Sequence, residues 1–400
     1  MKRILICFLF FLTHLFSTGI RGQDDRDSLR NLLTDLKSLD YHKAWDAAGR
    51  LSEFHQYKTK VVPALIEALN YQWDDCSGDI RDAIARTLGE LKATEAVFPL
   101  LDLLKSGKPI AHECAECGCC FIAITPKDVI SNSVDDLFCD YSVLWAINQL
   151  ADFSHSKAMA DIVSRGEWKP ELLITIGKVG LPRYAHFISR YKDDEGQDVR
   201  SAVAVALGLI DNDSITIPVL IQILTRGSED FFVKRDASNS LITIGRKKNT
   251  REFLDRLVSL LTENDKMSVL LTARALAVLG EEKGLLKLYE LVTDQDARIR
   301  EKAVMYLGEV SDTSSKDILI KRLRDENLAV RTCAIYSLGR IGDLSMIPIL
   351  TKAFEESNAY EKELEKRIDR ADREKYGIGV FDLRETFKEA LDTIKGIKNE

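Results

Sequence analysis

A two-residue signature, an aliphatic residue followed by glycine, recurs along the chain at Gly89, Gly177, Gly208, Gly245, Gly280, Gly308 and Gly339. From Gly177 onward the steps are 31, 37, 35, 28 and 31 residues. Self-similarity at such a period restricts a chain to stacked units that bury their apolar faces against one another. The best-formed copy runs from Asp198 to Leu224, DVRSAVAVALGLIDNDSITIPVLIQIL. Its apolar residues recur at helical spacing on both sides of a polar break at Asp211-Asn212-Asp213. The unit therefore reads as a helix, a short turn and a second helix.

Each recurrent residue has a physical reason. Asp79, Asp198, Asp296 and Asn327 stand where a helix N-cap is wanted, their side chains accepting unpaired amide hydrogens. Ala202, Ala204, Ala206, Ala303 and Ala334 let neighbouring helices approach closely. The glycines are expected to let the chain leave each helix in a left-handed conformation. Pro63, Pro99, Pro218 and Pro348 are expected near helix starts, where the missing N–H has no intrahelical use.

The pattern Asp198, Val199, Arg200, Ala202, Ala206, Leu207, Gly208, Pro218, Leu220, with matching sets at 79–101, 296–308 and 327–350, resembles the HEAT-like repeat family. It is closest to the short repeats also seen in phycobilin lyases. Copies over 155–190 and 249–292 are degenerate. The resemblance implies an all-α fold, a right-handed α-solenoid of about nine helical hairpins over residues 23–354. Residues 355–400 depart from the pattern and are expected to form a C-terminal helical cap. Arg81, Arg200, Arg235, Arg300 and Arg331 recur near the start of the second helices. A basic ladder for an anionic ligand is one reading. A brace between neighbouring repeats is the reading preferred, because the arginine belongs to the repeat consensus itself.

Residues 1–22 have the pattern of a secretory signal. Lys2 and Arg3 precede the apolar run Ile4 to Phe16, and Ser17, Thr18 and Gly19 supply small residues for cleavage. Extracytoplasmic location, periplasmic or secreted, follows as the expectation, with an uncleaved N-terminal anchor as the alternative. No stable membrane span is expected once the signal is cleaved. Removing these residues takes away Lys2, Arg3 and Arg21 and no acid, so the formal charge goes from −7 to −10. That balance argues against nucleic acid as a partner, since phosphate neutralisation needs clustered Lys and Arg.

One stretch breaks the ruler. Residues 106–138 form an insertion rich in cysteine, where the family has a turn of a few residues. Cys76 lies in the matching turn of the preceding repeat, so Cys76, Cys114, Cys117, Cys119, Cys120 and Cys139 are expected in one neighbourhood. In an oxidising compartment they form disulfides that brace the loop. Alternatively, His112, Cys114, Cys117, Cys119 and Cys120 bind zinc, with Cys76 as a further donor, or the Cys114-Cys117 pair is a redox couple. Cys333 reads as a buried packing thiol. No cofactor is expected, zinc being the alternative.

The expected function is that of an exported HEAT-like scaffold mediating protein–protein interaction, more consistent with a non-enzyme. The runner-up is a metal-binding or thiol-redox accessory protein using the cysteine loop. A lyase- or hydroxylase-like enzyme ranks third. The di-iron hydroxylases that the resemblance brings in use several His-Glu pairs, and His112-Glu113 is the one such dipeptide here. Trp73 and Trp145 flank the cysteine loop and are candidate binding residues, with core packing as the plainer role.

Overall fold

A computed structural model describes residues 25–71, 77–106, 142–248, 250–342, 344–365 and 383–396. Helices account for the regular structure among the described residues, and no strand occurs there. The chain divides into two units, residues 1–184 and 185–400.

The first unit contains α1 (residues 25–35), α2 (Tyr41–Arg50), α3 (Lys58–Ala68), α4 (Ser77–Glu90), α5 (Val97–Lys105), α6 (Ser142–Leu150), α7 (Ser156–Ser164) and α8 (Lys169–Val179). Helix α4 packs on α2, α6 on α4 and α8 on α6, while α3, α5 and α7 each pack on the helix that follows. The second unit begins with α9 (Tyr184–Ser189), α10 (Gln197–Leu209), α11 (Asp213–Thr225), α12 (Phe231–Lys248), α13 (Arg251–Ser259) and α14 (Lys266–Val278). It continues with α15 (Glu282–Leu291), α16 (Ala297–Val310), α17 (Lys316–Arg322), α18 (Leu328–Ile341), α19 (Ile347–Glu365) and α20 (Leu383–Lys395). Here α10, α12, α14, α16, α18 and α20 pack each on the next, and the intervening helices lie on one side of that row. The fold is an all-α solenoid of helical hairpins.

The core runs along the row. Val203, Leu207, Leu241, Leu270, Leu276, Leu307 and Leu338 are fully buried. Each such side chain contributes about 1.5–3 kcal/mol relative to exposure. Alanines 204, 206, 237, 273, 303 and 334 are equally buried and keep the helices close.

The glycines act differently from the expectation. Gly280 has the left-handed φ of +81°, but Gly208, Gly308 and Gly339 lie inside their helices without it. They are contact points. A Cβ at Gly208 would collide with Ser240, at Gly308 with Ser337 and at Gly339 with Ala390. The hydroxyls so admitted are used: Ser240 donates to the Ala204 carbonyl at 2.8 Å and Ser337 to that of Val304 at 2.9 Å. The missing methyl opens a helix carbonyl to the neighbouring helix.

Two further expectations change. Asp296 and Asn327 are N-caps, Asn327 accepting from the amides of Ala329 and Val330. Asp198 instead lies within the first turn of α10, behind Gly196, where its charge suits the positive helix end. Pro99 and Pro348 fall in first turns, but Pro63 and Pro218 are interior to α3 and α11. At those two positions a ladder hydrogen bond is forfeited.

Helix α19 runs through residue 354 without interruption, so the expected boundary between array and cap falls inside a helix. Helix α20 takes the place of a further second helix on α18. Phe387 of α20 stacks on Phe354 of α19, with ring centroids 4.3 Å apart.

Candidate interaction surface

The recurrent basic residues divide into those that brace and those that do not. Arg200 places Nε and Nη2 on the Glu229 carboxylate at 3.0 and 2.9 Å, and Nη1 on the carbonyls of Asp194 and Glu195. Arg300 repeats this geometry with Asp325, at 3.0 and 2.8 Å, and with the carbonyls of Asp294 and Gln295. In both cases the acid comes from the turn before the next second helix, so the pair joins neighbouring repeats. Burial pushes the Glu229 carboxyl upward, but the hydrogen bonds from Arg200 and the Asp230 amide, together with the charges of Arg200 and Arg226, outweigh this, and it lies below its ordinary range. Arg81 binds the carbonyls of Leu69 and Tyr71 in the preceding turn, and burial lowers its pKa.

Arg235 does not occupy the brace position. The hydroxyl contacts set the register, with Ser240 matching Ser337, and Lys234 then matches Arg331. Lys234 is 2% exposed, and its ammonium reaches Asp265 at 2.6 Å and Ser268 at 3.2 Å. Arg235 turns to its neighbour Asp236 at 3.3 Å and stands 5.0 Å from the Phe232 ring centroid. Aligning the repeats on Gly245 would put Ala237 at the brace position, three residues past Lys234. Arg331, at the last rung, stacks on Tyr360.

Displaced from the ladder, Arg235 joins a polar group spread across α12, α14 and α16. Asp236 accepts a hydrogen bond from Ser201 of α10 as well as from Arg235, and burial pushes its carboxyl above the usual range. Arg274 of α14 lies at the centre. Its Nε and Nη2 reach Glu309 of α16 at 2.7 Å, and its Nη1 reaches Asn239 of α12 at 2.7 Å. The same guanidinium stands 5.1 Å from the ring centroid of Tyr306. Burial pushes the Tyr306 phenol up to about 12, so it stays neutral at physiological pH. Lys302 extends from α16 to the Phe231 ring, 4.5 Å from its centroid. Glu301 beside it is raised by burial. Phe232 stays 46% exposed at the edge of the group.

This face can present two adjoining apolar rings, Phe231 and Phe232, each with one cation against it, and charged groups held in place by one another. Arg274, Tyr306 and Asp236 were not singled out from sequence. Their signal is a polar or aromatic residue interrupting an otherwise apolar and small second helix.

Trp145 is half-buried on α6 and packs where Gly89 of α4 lacks a side chain, which gives it a packing role. The helix it belongs to is anchored at its start, where Asp82 of α4 accepts from the Ser142 amide and hydroxyl at 2.8 and 2.9 Å. Trp73, His112, Cys76, Cys114, Cys117, Cys119, Cys120 and Cys139 lie outside the described residues, as do the signal segment and the insertion. Cys333 is 3% exposed on α18, with its thiol pushed well above the ordinary range by burial. Among the described residues, no helix is long and apolar enough to cross a membrane.

Comparison with known proteins gives the following. No curated protein matches the sequence. Similar solved structures include the complex of CpcE and CpcF of phycocyanin lyase from Nostoc sp. PCC7120, 13% identical, with a TM-score of 0.28 and coverage of 92% of this chain and 94% of that one. Human deoxyhypusine hydroxylase in complex with glycerol is 18% identical, with a TM-score of 0.24 and coverage of 61% and 96%. Kap121p is 12% identical, with a TM-score of 0.40 and coverage of 94% and 46%. Residues 284–364, which span α15 to α19, match the family of HEAT repeats. Residues 284–364 of the chain are thus HEAT repeats.

Proposed function

We propose that this protein is an exported scaffold that binds a protein partner across α12, α14 and α16. The observation that carries the reading is the composition of that face. Phe232 is exposed beside Arg235 and against the ring of Phe231, on which Lys302 lies, while Arg274, Tyr306 and Glu309 are held in a preset polar group. Aromatic and arginine side chains held rigid before binding are what protein interfaces use as anchors, because little side-chain entropy is lost on contact. Repeat arrays also present such residues on adjoining helices at regular spacing. Export rests on the signal pattern of residues 1–22.

The test is a partner capture with the full chain and matched variants. Phe232→Ser and Lys302→Glu should abolish capture while leaving the helical content and melting midpoint intact. Leu286→Ser, on α15 and 54% exposed, is the control and should capture as the wild type does. Equal loss with Leu286→Ser, or retention with Phe232→Ser, refutes the assignment. Sequencing the N-terminus of the protein recovered outside the cytoplasm tests export; a chain retained with Lys2 and Arg3 intact refutes cleavage after the signal.

A further inference from the structure

The brace ladder of the second unit follows one rule until its last rung. Arg200 takes Glu229, Lys234 takes Asp265 and Arg300 takes Asp325, each acid lying in the turn before the next second helix. The two arginines present the same two atoms, Nε and Nη2, to a carboxylate. Arg331 occupies the equivalent place on α18, eight residues before Gly339 as Arg300 is before Gly308. Its Nε and Nη2 are buried and have no hydrogen-bond partner among the described residues.

The sequence offers no acid at the matching distance. Asp325 stands twelve residues before Ser337, and Glu229 eleven before Ser240. Ala390 is the contact on α20 that matches these serines, and the same distances before it fall on Ile378 and Gly379. Neither is an acid. The guanidinium is covered instead by Tyr360 of α19, whose ring centroid is 4.0 Å from Cζ. The carboxylates nearby are engaged: Asp325 with Arg300, and Glu356 with Lys352 at 3.9 Å. Burial lowers the Arg331 pKa, the cost of a buried cation without a matching anion.

We propose that Arg331 is an open carboxylate socket, taking from outside the chain the two-pronged carboxylate that Asp325 gives Arg300. A planar guanidinium with two parallel N–H groups selects a planar two-oxygen acceptor. The ring of Tyr360 is the cover that an incoming carboxylate displaces. This goes beyond partner binding on α12, α14 and α16, since it concerns another place on the unit and a defined ligand chemistry.

The experiment uses the full chain with nitrogen-labelled arginine. Sodium acetate and an acetylated, amidated Gly-Glu-Gly peptide are titrated separately, following the Arg331 Nε–H resonance, assigned by its loss in Arg331→Met. A saturable shift is expected in the wild type, and the affinity of each probe, measured in parallel by calorimetry, should weaken about tenfold or more in Arg331→Lys, which keeps the charge but loses the fork. Tighter binding of the peptide points to an acidic side chain of a partner; equal or tighter binding of acetate points to a free carboxylate. Two results overturn the proposal. One is the absence of a saturable shift with either probe, or a calorimetric affinity unchanged in Arg331→Lys. The other is a wild-type Nε–H already at its carboxylate-bound position and released by Glu356→Gln.

Discussion

Substituting Gly308 by alanine should reverse the usual effect of that change. In an open helix position, Gly→Ala stabilises by about 0.5–1 kcal/mol, because glycine loses more backbone freedom on folding. At Gly308 the new methyl would lie 2.5 Å from Ser337 Cβ and 2.7 Å from Ser337 Cα. The Cα cannot rotate away, so α16 and α18 must separate. Overpacking of this kind costs about 1–3 kcal/mol. Separation also strains the 2.9 Å bond from Ser337 to the Val304 carbonyl, a contribution of about 1 kcal/mol. Against the propensity gain, the net is a loss of about 1–3 kcal/mol. At about 2–4 °C per kcal/mol for a unit of this size, the midpoint falls by roughly 2–12 °C. Gly49, in α2, has nothing within 4 Å of the same methyl. There Gly49→Ala should raise the midpoint by about 1–4 °C. Thermal melts followed by far-ultraviolet circular dichroism compare the two. Adding Ser337→Gly to Gly308→Ala should recover little of the loss, because the contact with the Cα of residue 337 remains. If Gly308→Ala stabilises the protein as Gly49→Ala does, the close-contact account of the repeat glycines is refuted.

Other expectations concern charge and sulfur. Arg300→Ala leaves Asp325 buried without its partner and should cost about 3–5 kcal/mol in denaturant unfolding, whereas Arg298→Ala, 80% exposed at its side chain, should leave the midpoint unchanged. Glu229 has a depressed folded pKa, so its stabilisation is complete above the ordinary carboxylate range and lost as pH falls through the folded value. Glu229→Gln should therefore flatten the acid limb of stability against pH. Asp236 has the opposite sign: its raised folded pKa means stability is lost as pH rises through it, so Asp236→Asn should stabilise at neutral pH relative to acid. If the cysteines brace the insertion, alkylation of the exported protein without reductant should leave Cys76, Cys114, Cys117, Cys119, Cys120 and Cys139 unmodified by mass spectrometry, and six labelled thiols with bound zinc would select the metal reading.

The helical hairpins were legible because repetition supplies its own control: a residue type seen at matching positions in several copies separates frame from decoration. Helix ends were harder. Asp198 and Asp296 look alike in sequence, yet one lies in the first turn and the other is the cap, because Gly196 begins α10 earlier than its pattern suggests. The glycines stand out in the sequence, but Gly208, Gly308 and Gly339 are contact points between helices, whereas Gly280 takes the left-handed conformation expected at a helix end. A glycine beside a neighbouring helix and a glycine at a helix end leave the same letter, and the neighbour is not in the local sequence. Arg235 shows the same limit. Its register depended on which residue of α12 meets α10, and that residue is Ser240 rather than one set by Gly245. The group around Arg274 was illegible for a related reason. Its members come from three helices, and each alone looks like an ordinary polar residue.

The serine contacts of α12 bear on how the second unit comes apart. Ser240 ties α12 back to the Ala204 carbonyl of α10, and Ser238 ties it forward to the Leu271 carbonyl of α14. Ser337 makes one such tie from α18 to α16. Every tie reaches one repeat and no farther, so local opening is a nearest-neighbour event that spreads from the flanks inward. Helix α12, held from both sides, is then the last to exchange its amide hydrogens, while α20 and α9 exchange first. The mechanical centre of the unit is thus also the helix that carries Phe232 and Arg235, which keeps the anchor residues ordered while the outer hairpins fray.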